Sequence, residues 1–205
     1  VNYLYYLFAI VPSIVLHEVS HGWVANYFGD PTAKQQGRLT INPLKHIDPF
    51  GTVLLPALLI FSGLPMFGYA KPVPVNISRL RNPRKQSLYV SLAGPLVNIL
   101  LSGVGFAICE YAIHSNHSQM TFNIGEYLGL VNITLAVFNL IPIPPLDGSA
   151  ILERFIPQRN LGKYYDVRAK ALPFVIGFII IDSMFLHIGT GFLGSLQNWW
   201  ISRLF

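Results

Sequence analysis

Apolar residues in this chain come in long, nearly unbroken runs, with none of the strict alternation of a half-buried strand and little of the one-faced periodicity of a water-facing helix. A helix needs about 20 largely apolar residues to cross a bilayer. Four runs approach that length: Tyr3 to Phe28, Leu88 to Ile113, Tyr127 to Ile143 and Leu172 to Leu186. A fifth, Phe50 to Phe61, is shorter, contains Pro56 and is followed by Gly63, Pro65 and Gly68, which predicts a re-entrant or broken element. Polar stretches separate the runs, at Gly29 to Pro49, Gly68 to Arg84, Ser115 to Asn123 and Glu153 to Lys170. The pattern predicts an all-α polytopic membrane protein. It would be a bundle of about four to six transmembrane helices with a re-entrant element and a short membrane-embedded strand region. Residues 1–205 form one membrane-embedded unit, with a core over about 3–150 and C-terminal helices over about 151–205.

Composition points the same way. Of 205 residues, 52% are hydrophobic and 11% charged, with a mean hydropathy of +0.48, whereas a soluble domain carries roughly 25% charged residues. Most of the surface must be solvated by lipid. The formal charge of +5 does not argue for nucleic acid, because the basic residues form short blocks between apolar runs and no aromatic-bearing face. They read as topology signals instead, since Lys and Arg concentrate on cytoplasmic loops. Lys71, Arg79, Arg81, Arg84 and Lys85 precede the second full span, and Arg154, Arg159, Lys163, Arg168 and Lys170 follow the third. Ser115 to Asn123 has no Lys or Arg and falls outside, so the chain returns to the cytoplasm near Pro144 and Asp147. Lys34, Arg38 and Lys45 put the end of the first span inside as well, and Phe50 to Phe61 must then dip in and come back. The single cysteine, Cys109, lies in an apolar run and supports neither a disulfide framework nor a thiolate metal site.

A metal would therefore use histidine and carboxylate, and the first span supplies both. His17, Glu18, Val19, Ser20 and His21 spell H-E-x-x-H on a predicted helix. Positions i and i+4 share a face, so His17 and His21 can bind one metal while Glu18 serves the water beside it. Ionisable groups inside a span are expensive and mark function by default. A catalytic zinc takes three protein ligands, and Asp147 is the best third candidate. It follows Pro144 and Pro145 at the cytoplasmic end of the third span, with Gly148 permitting a tight turn.

These residues resemble the site-2 protease family of intramembrane zinc metalloproteases. The resemblance rests on His17 to His21, on Ala93-Gly94-Pro95-Leu96-Val97-Asn98, and on the N-x-x-P-x-x-x-L-D-G pattern from Asn139 to Gly148. It implies one Zn2+ per chain held by His17, His21 and Asp147, Glu18 as catalytic base and proton shuttle, and a site sunk below the cytoplasmic surface of a bacterial membrane. It also implies transmembrane substrates such as membrane-anchored regulators or signal-peptide remnants. The chain resembles the compact branch without extra soluble domains, and departs from better-known relatives in its long Gly29 to Lys85 insertion, which contains Gly37 to Pro43.

Supporting roles follow from residue chemistry. Asn139, and after it Asn98, are amides within apolar spans and candidates for stabilising the developing oxyanion or otherwise contacting substrate, with an interhelical hydrogen bond as the alternative for each. Gly68, Tyr69, Ala70 and Lys71 open a Pro-rich stretch to Asn76 that suits either a strand edge receiving an extended substrate or a rigid linker. His46 and Asp48 are expected at the interface, His114 and His117 beside the outer loop, Asp182 near a kink or water cavity, and Trp199, Trp200 and Arg203 in an interfacial belt. From another class of function, an ion or proton pathway could use the same His17, Glu18, His21 and Asp147.

Overall fold

The computed structural model describes residues 2–63, 68–115, 118–182 and 188–204, with backbone alone at Thr190. In chain order its helices are α1 (Tyr3–Tyr27), α2 (Thr32–Gln35), α3 (Leu55–Phe61), α4 (Pro83–His114), α5 (Gln119–Leu140), α6 (Ser149–Glu153), α7 (Leu161–Lys170), α8 (Leu172–Ile181) and α9 (Ile188–Ile201). Short 3-10 turns lie at Pro43–His46, Ile77–Arg79 and Gln158–Asn160, and a π-helical turn over Pro49–Leu54 leads into α3. Three helices, α1, α4 and α5, are long and apolar enough to cross a membrane. They pack on one another as the centre of the molecule.

Their burial pattern is inverted relative to a soluble bundle. Inside lie Ala9, Ser13, Ala25, Ser91, Asn98, Ser102, Asn132 and Ala136, while Leu4, Leu7, Phe8, Leu96, Leu100 and Val104 face outward. Small side chains let membrane helices approach, and buried amides and hydroxyls join them. At Gly105 the approach is backbone to backbone, since a Cβ there would stand 2.4 Å from Gly129 N. An apolar exterior around a small, polar interior belongs to a protein solvated by hydrocarbon.

Other elements differ from expectation. No strand is present among the described residues; Gly68 to Asn76 runs as irregular chain until the turn at Ile77. Lys71 and Val73 each precede a proline, which favours extended backbone, but no second strand pairs with them. Pro49–Phe61 is helical and, at about 1.5 Å per residue, reaches about 20 Å, short of the roughly 30 Å hydrocarbon core. The fourth long run is helical from Leu172 to Ile181, and its end at Leu186 lies outside the described residues, as do Pro65 and His117. Trp200 faces the bundle interior instead of joining an exposed belt. It is 5% exposed, its indole N–H donates to Ser102 Oγ (3.0 Å), and its ring covers Gly129, where a Cβ would stand 2.0 Å from it. Of this pair Trp199 is the exposed one, with the Arg203 guanidinium 5.3 Å from its ring. Asp182 accepts the N–H groups of Ile188 and Gly189 and so caps the start of α9.

Candidate metal centre

His17 and His21 lie one turn apart on α1 and turn inward toward α4. His17 Nδ1 meets Asn98 Oδ1 at 2.5 Å, and His21 Nδ1 meets the Val90 carbonyl at 2.7 Å. A carbonyl can only accept, so His21 carries its proton on Nδ1 and presents a lone pair at Nε2. His17 is oriented by a longer chain. Asn132 Nδ2 donates to Leu128 O (2.9 Å) and Ser13 Oγ (2.7 Å), which leaves Asn132 Oδ1 to accept from Asn98 Nδ2 (2.7 Å) and turns Asn98 Oδ1 to His17. Ser13, Asn98 and Asn132 are all fully buried. His17 Nδ1 is therefore the donor, and its Nε2 is also a bare acceptor. Interhelical bonds of this kind each contribute about 0.6–2 kcal/mol in membrane bundles, and here they also fix a tautomer.

The third group arrives from the loop after α5. Gly148 N–H donates to Asn139 O (2.7 Å), closing Ile141 to Asp147 into a compact turn. Gly148 has ordinary right-handed φ of −57°; glycine is required there because a Cβ would lie 2.1 Å from Leu140 O. Downstream, Glu153 on α6 is buried and its Oε1 accepts from Ser87 Oγ (3.2 Å) of α4 and Tyr165 OH (2.8 Å) of α7. Arg84 Nη2 donates to Arg154 O (2.8 Å) and Ile156 O (2.9 Å). Burial first, and the Glu153 carboxylate second, push the Tyr165 phenol above its usual range, so it stays a donor. Asp147 is thereby held from both sides.

The result is three acceptors and no donor at one point. Nε2 of His17 and Nε2 of His21 are 3.1 Å apart, and Asp147 Oδ2 lies 3.1 Å from the first and 3.4 Å from the second. Asp147 Oδ2 is buried without a hydrogen-bond donor. A tetrahedral zinc with bonds of about 2.0–2.1 Å has ligand-to-ligand edges of about 3.3 Å, so spacing and donor set both suit Zn2+. Gly94 of α4 makes the room, because a Cβ there would stand 2.5–2.6 Å from both imidazoles. Among the described residues this is the one cluster of three or more such ligands.

Glu18 lies on the neighbouring face of α1, where its Oε2 accepts the Val73 N–H (2.9 Å). The irregular chain thus reaches the site at Val73 rather than at Gly68 to Lys71. Tyr69 N–H bonds Gly51 O (3.0 Å), Tyr69 O accepts from Thr52 Oγ1 (2.9 Å), and Lys71 N–H bonds His46 O (2.9 Å), so that stretch is tied to the segment before α3. Asn98 stands behind His17. Asn139 turns its amide back to Leu135 O (3.0 Å) and is not gathered into the ligand cluster. Ser13 and Asn132 are not singled out by the sequence, although a hydroxyl and an amide within apolar spans are a signal, while Val73 and Gly94 stand there only as members of the Gly68 to Asn76 stretch and the Ala93 to Asn98 motif, without a role of their own. Asn98→Ala is expected to weaken zinc retention about 10–100-fold in a chelator-competition assay. Asn98→Asp keeps the acceptor for His17, opposes it to Asn132 Oδ1, and should recover part of the loss.

Three membrane-length helices around a histidine, histidine, carboxylate cluster with an adjacent glutamate define an integral membrane metal hydrolase. The chain belongs to peptidase family M50, the site-2 protease family, whose profile matches residues 5–121 and 110–184. It is 37% identical over 213 residues to "Putative zinc metalloprotease YwhC" of Bacillus subtilis strain 168, covering 97% of this chain and 89% of that protein. It is also similar to "Putative zinc metalloprotease Rip2" of Mycolicibacterium smegmatis, at 35% identity over 69% of this chain and 53% of the relative. Rip2 of Mycobacterium tuberculosis H37Rv is 34% identical over 84% of this chain and 65% of its own length. No solved structure matches. The protein is a zinc metalloendopeptidase of the membrane, with Zn2+ as its cofactor.

Proposed function

We propose that this peptidase cleaves peptide bonds within or near transmembrane segments of other proteins. The observation that carries the reading is the position of the acceptor cluster. His17, Glu18 and His21 belong to a helix long enough to span, and Asn98 of a second spanning helix holds His17 in place. His17, His21 and Asp147 would hold the zinc. When bound, zinc supplies a Lewis acid and lowers the pKa of water toward neutrality. Glu18 takes the proton of the attacking water and returns it to the leaving amine. Val73 N–H keeps its carboxylate in place, and Asn98 and Val90 keep both imidazoles in the tautomer that leaves Nε2 free.

A substrate helix hides its peptide bonds in its own hydrogen bonds and must extend before it is cut. Among the described residues, no hydrogen bond engages Val75 N–H or the carbonyls of Val73, Pro74 and Val75. These groups give an unfolded substrate backbone something to pair with. A re-entrant role for the Pro49–Phe61 segment is supported by its being apolar but short of the spanning length and by the exposure of Phe50, Val53, Leu54, Leu58 and Phe61. The distribution of Lys and Arg over the loops supports a site open to the cytoplasm, and in a bacterial membrane the fitting substrate class is membrane-anchored regulators and signal-peptide remnants. Membership of a peptidase family takes the place of the ion-pathway alternative.

The test is a single-span reporter co-reconstituted with the full chain in liposomes, with products mapped by mass spectrometry. Cleavage inside or at the edge of the apolar segment is the expected result. Cutting confined to flanking soluble sequence would refute an intramembrane endopeptidase.

A further inference from the structure

The loop after α1 buries two charged residues that the reaction does not use. Asp30 is fully buried and Arg38 is 8% exposed. Among the described residues Arg38 has no carboxylate at ion-pair distance, and its Nε has no partner. Burying a cation without a counter-charge is costly, so what it touches matters. Its Nη2 donates to Lys71 O (2.9 Å) and Pro72 O (3.4 Å). Asp30 holds the other end of the same stretch, with Oδ2 accepting Asn76 N–H at 2.6 Å and Oδ1 accepting from Thr32 N–H (3.0 Å) and the Thr32 hydroxyl.

Between these grips lies Val73, whose N–H meets Glu18. Pro72 and Pro74 have no N–H, so Val73 owns the only donor of that triplet. The strap lies directly on α1. Gly22, one turn beyond Glu18, would carry a Cβ 2.8 Å from Val73 Cγ1 and 2.4 Å from Leu39 Cδ2.

We propose that Arg38 and Asp30 are positioning residues for hydrolysis, clamping residues 71–76 at both ends so that Val73 N–H fixes the Glu18 carboxylate beside the metal centre. The proposal rests on Glu18 being the base. It gives Arg38, which lies in the Gly37 to Pro43 stretch, a task outside the ligand set.

Arg38→Ala should lower kcat on the liposome reporter about 10²-fold, the scale of a 1 Å misplacement, with KM changed by less than about threefold. Zinc per chain and the melting temperature in detergent should stay at wild-type values, and Arg38→Lys should recover part of kcat. Residue-resolved amide exchange on the full chain supplies a readout independent of turnover. The Val73 amide should exchange slowly in the wild type and fast in Arg38→Ala and Asp30→Asn. In Glu18→Ala it should also be fast, while Asn76, still held by Asp30, stays slow. Fast exchange at Val73 in the wild type overturns the proposal, as does an opened strap with unchanged kcat, or a kcat loss that appears only with loss of zinc or fold. Should Arg38→Ala fail to fold, Gly22→Ala pushes the strap off α1 by sterics. Fast Val73 exchange with reduced kcat there supports the clamp, and wild-type behaviour in either overturns it. A Glu18→Gln protein that still cleaves would instead remove the base assignment on which the clamp depends.

Discussion

Glu18→Gln is expected to reduce cleavage about 10²–10⁴-fold, the usual worth of a positioned general base, while the protein keeps its zinc. The substitution preserves the length of the side chain and an oxygen able to accept Val73 N–H. It removes the group that can take a proton. His17 and His21 are oriented by Asn98 and Val90, not by Glu18, so the ligand geometry should survive. Turnover of the single-span reporter, with elemental analysis of the same sample, makes the check. Loss of zinc along with activity would mean that Glu18 belongs to the ligand set, and retention of activity would mean that another group moves the proton.

Asp147→Ala is expected to take zinc from about one per chain, as a mononuclear site requires, to near zero, with the bundle intact. Asp147 contributes one of three acceptors and the only negative charge among them. Its loop is closed by backbone bonds from Gly148 to Asn139, and α6 is held by Glu153 and Arg84, none of which needs the Asp147 side chain. Elemental mass spectrometry with a folding check by circular dichroism separates the outcomes. A folded Asp147→Ala protein that retains full zinc would remove Asp147 from the ligand set. His21→Ala should lose zinc in the same way, and agreement between the two would join α1 and the loop after α5 at one ion.

The parts of this site legible in the sequence were those governed by short-range geometry. His17, Glu18 and His21 share a helix, and a spacing of four places two imidazoles on one face in any fold. The three long helices were legible because hydrocarbon thickness sets a length that hydropathy alone can meet. Asp147 was reachable through its proline-rich approach and its glycine. What the sequence could not reveal is which side of a helix faces which neighbour. Asn98 is visible as an amide in an apolar span, yet whether it meets substrate or the back of an imidazole depends on the rotation of α4. Trp199 and Trp200 look alike as a doublet, and only the groove at Gly129 separates the buried ring from the exposed one. The Gly68 to Asn76 stretch is visible as a Pro-rich strap, but which of its residues meets Glu18 is not, because the contact is made by the backbone N–H of Val73, which has no signature in the letters. Gly94 and Gly148 matter for the space they leave, which composition does not record.

The way His17 and His21 are held has a consequence for the order in which the protein is assembled. In small zinc modules the ligands scatter in the free chain and the ion gathers them, so metal binding and folding are one event. Here each imidazole is set by groups with no contact to a metal: the Val90 carbonyl for one, and for the other a chain through Asn98 and Asn132 to Leu128. Those groups come from α4 and α5, so the three long helices must meet before the lone pairs converge. With His17, His21 and Asp147 as the proposed ligands, the ion would be a late guest in a finished cradle, and the bundle, rather than the metal, would decide when the enzyme becomes able to load.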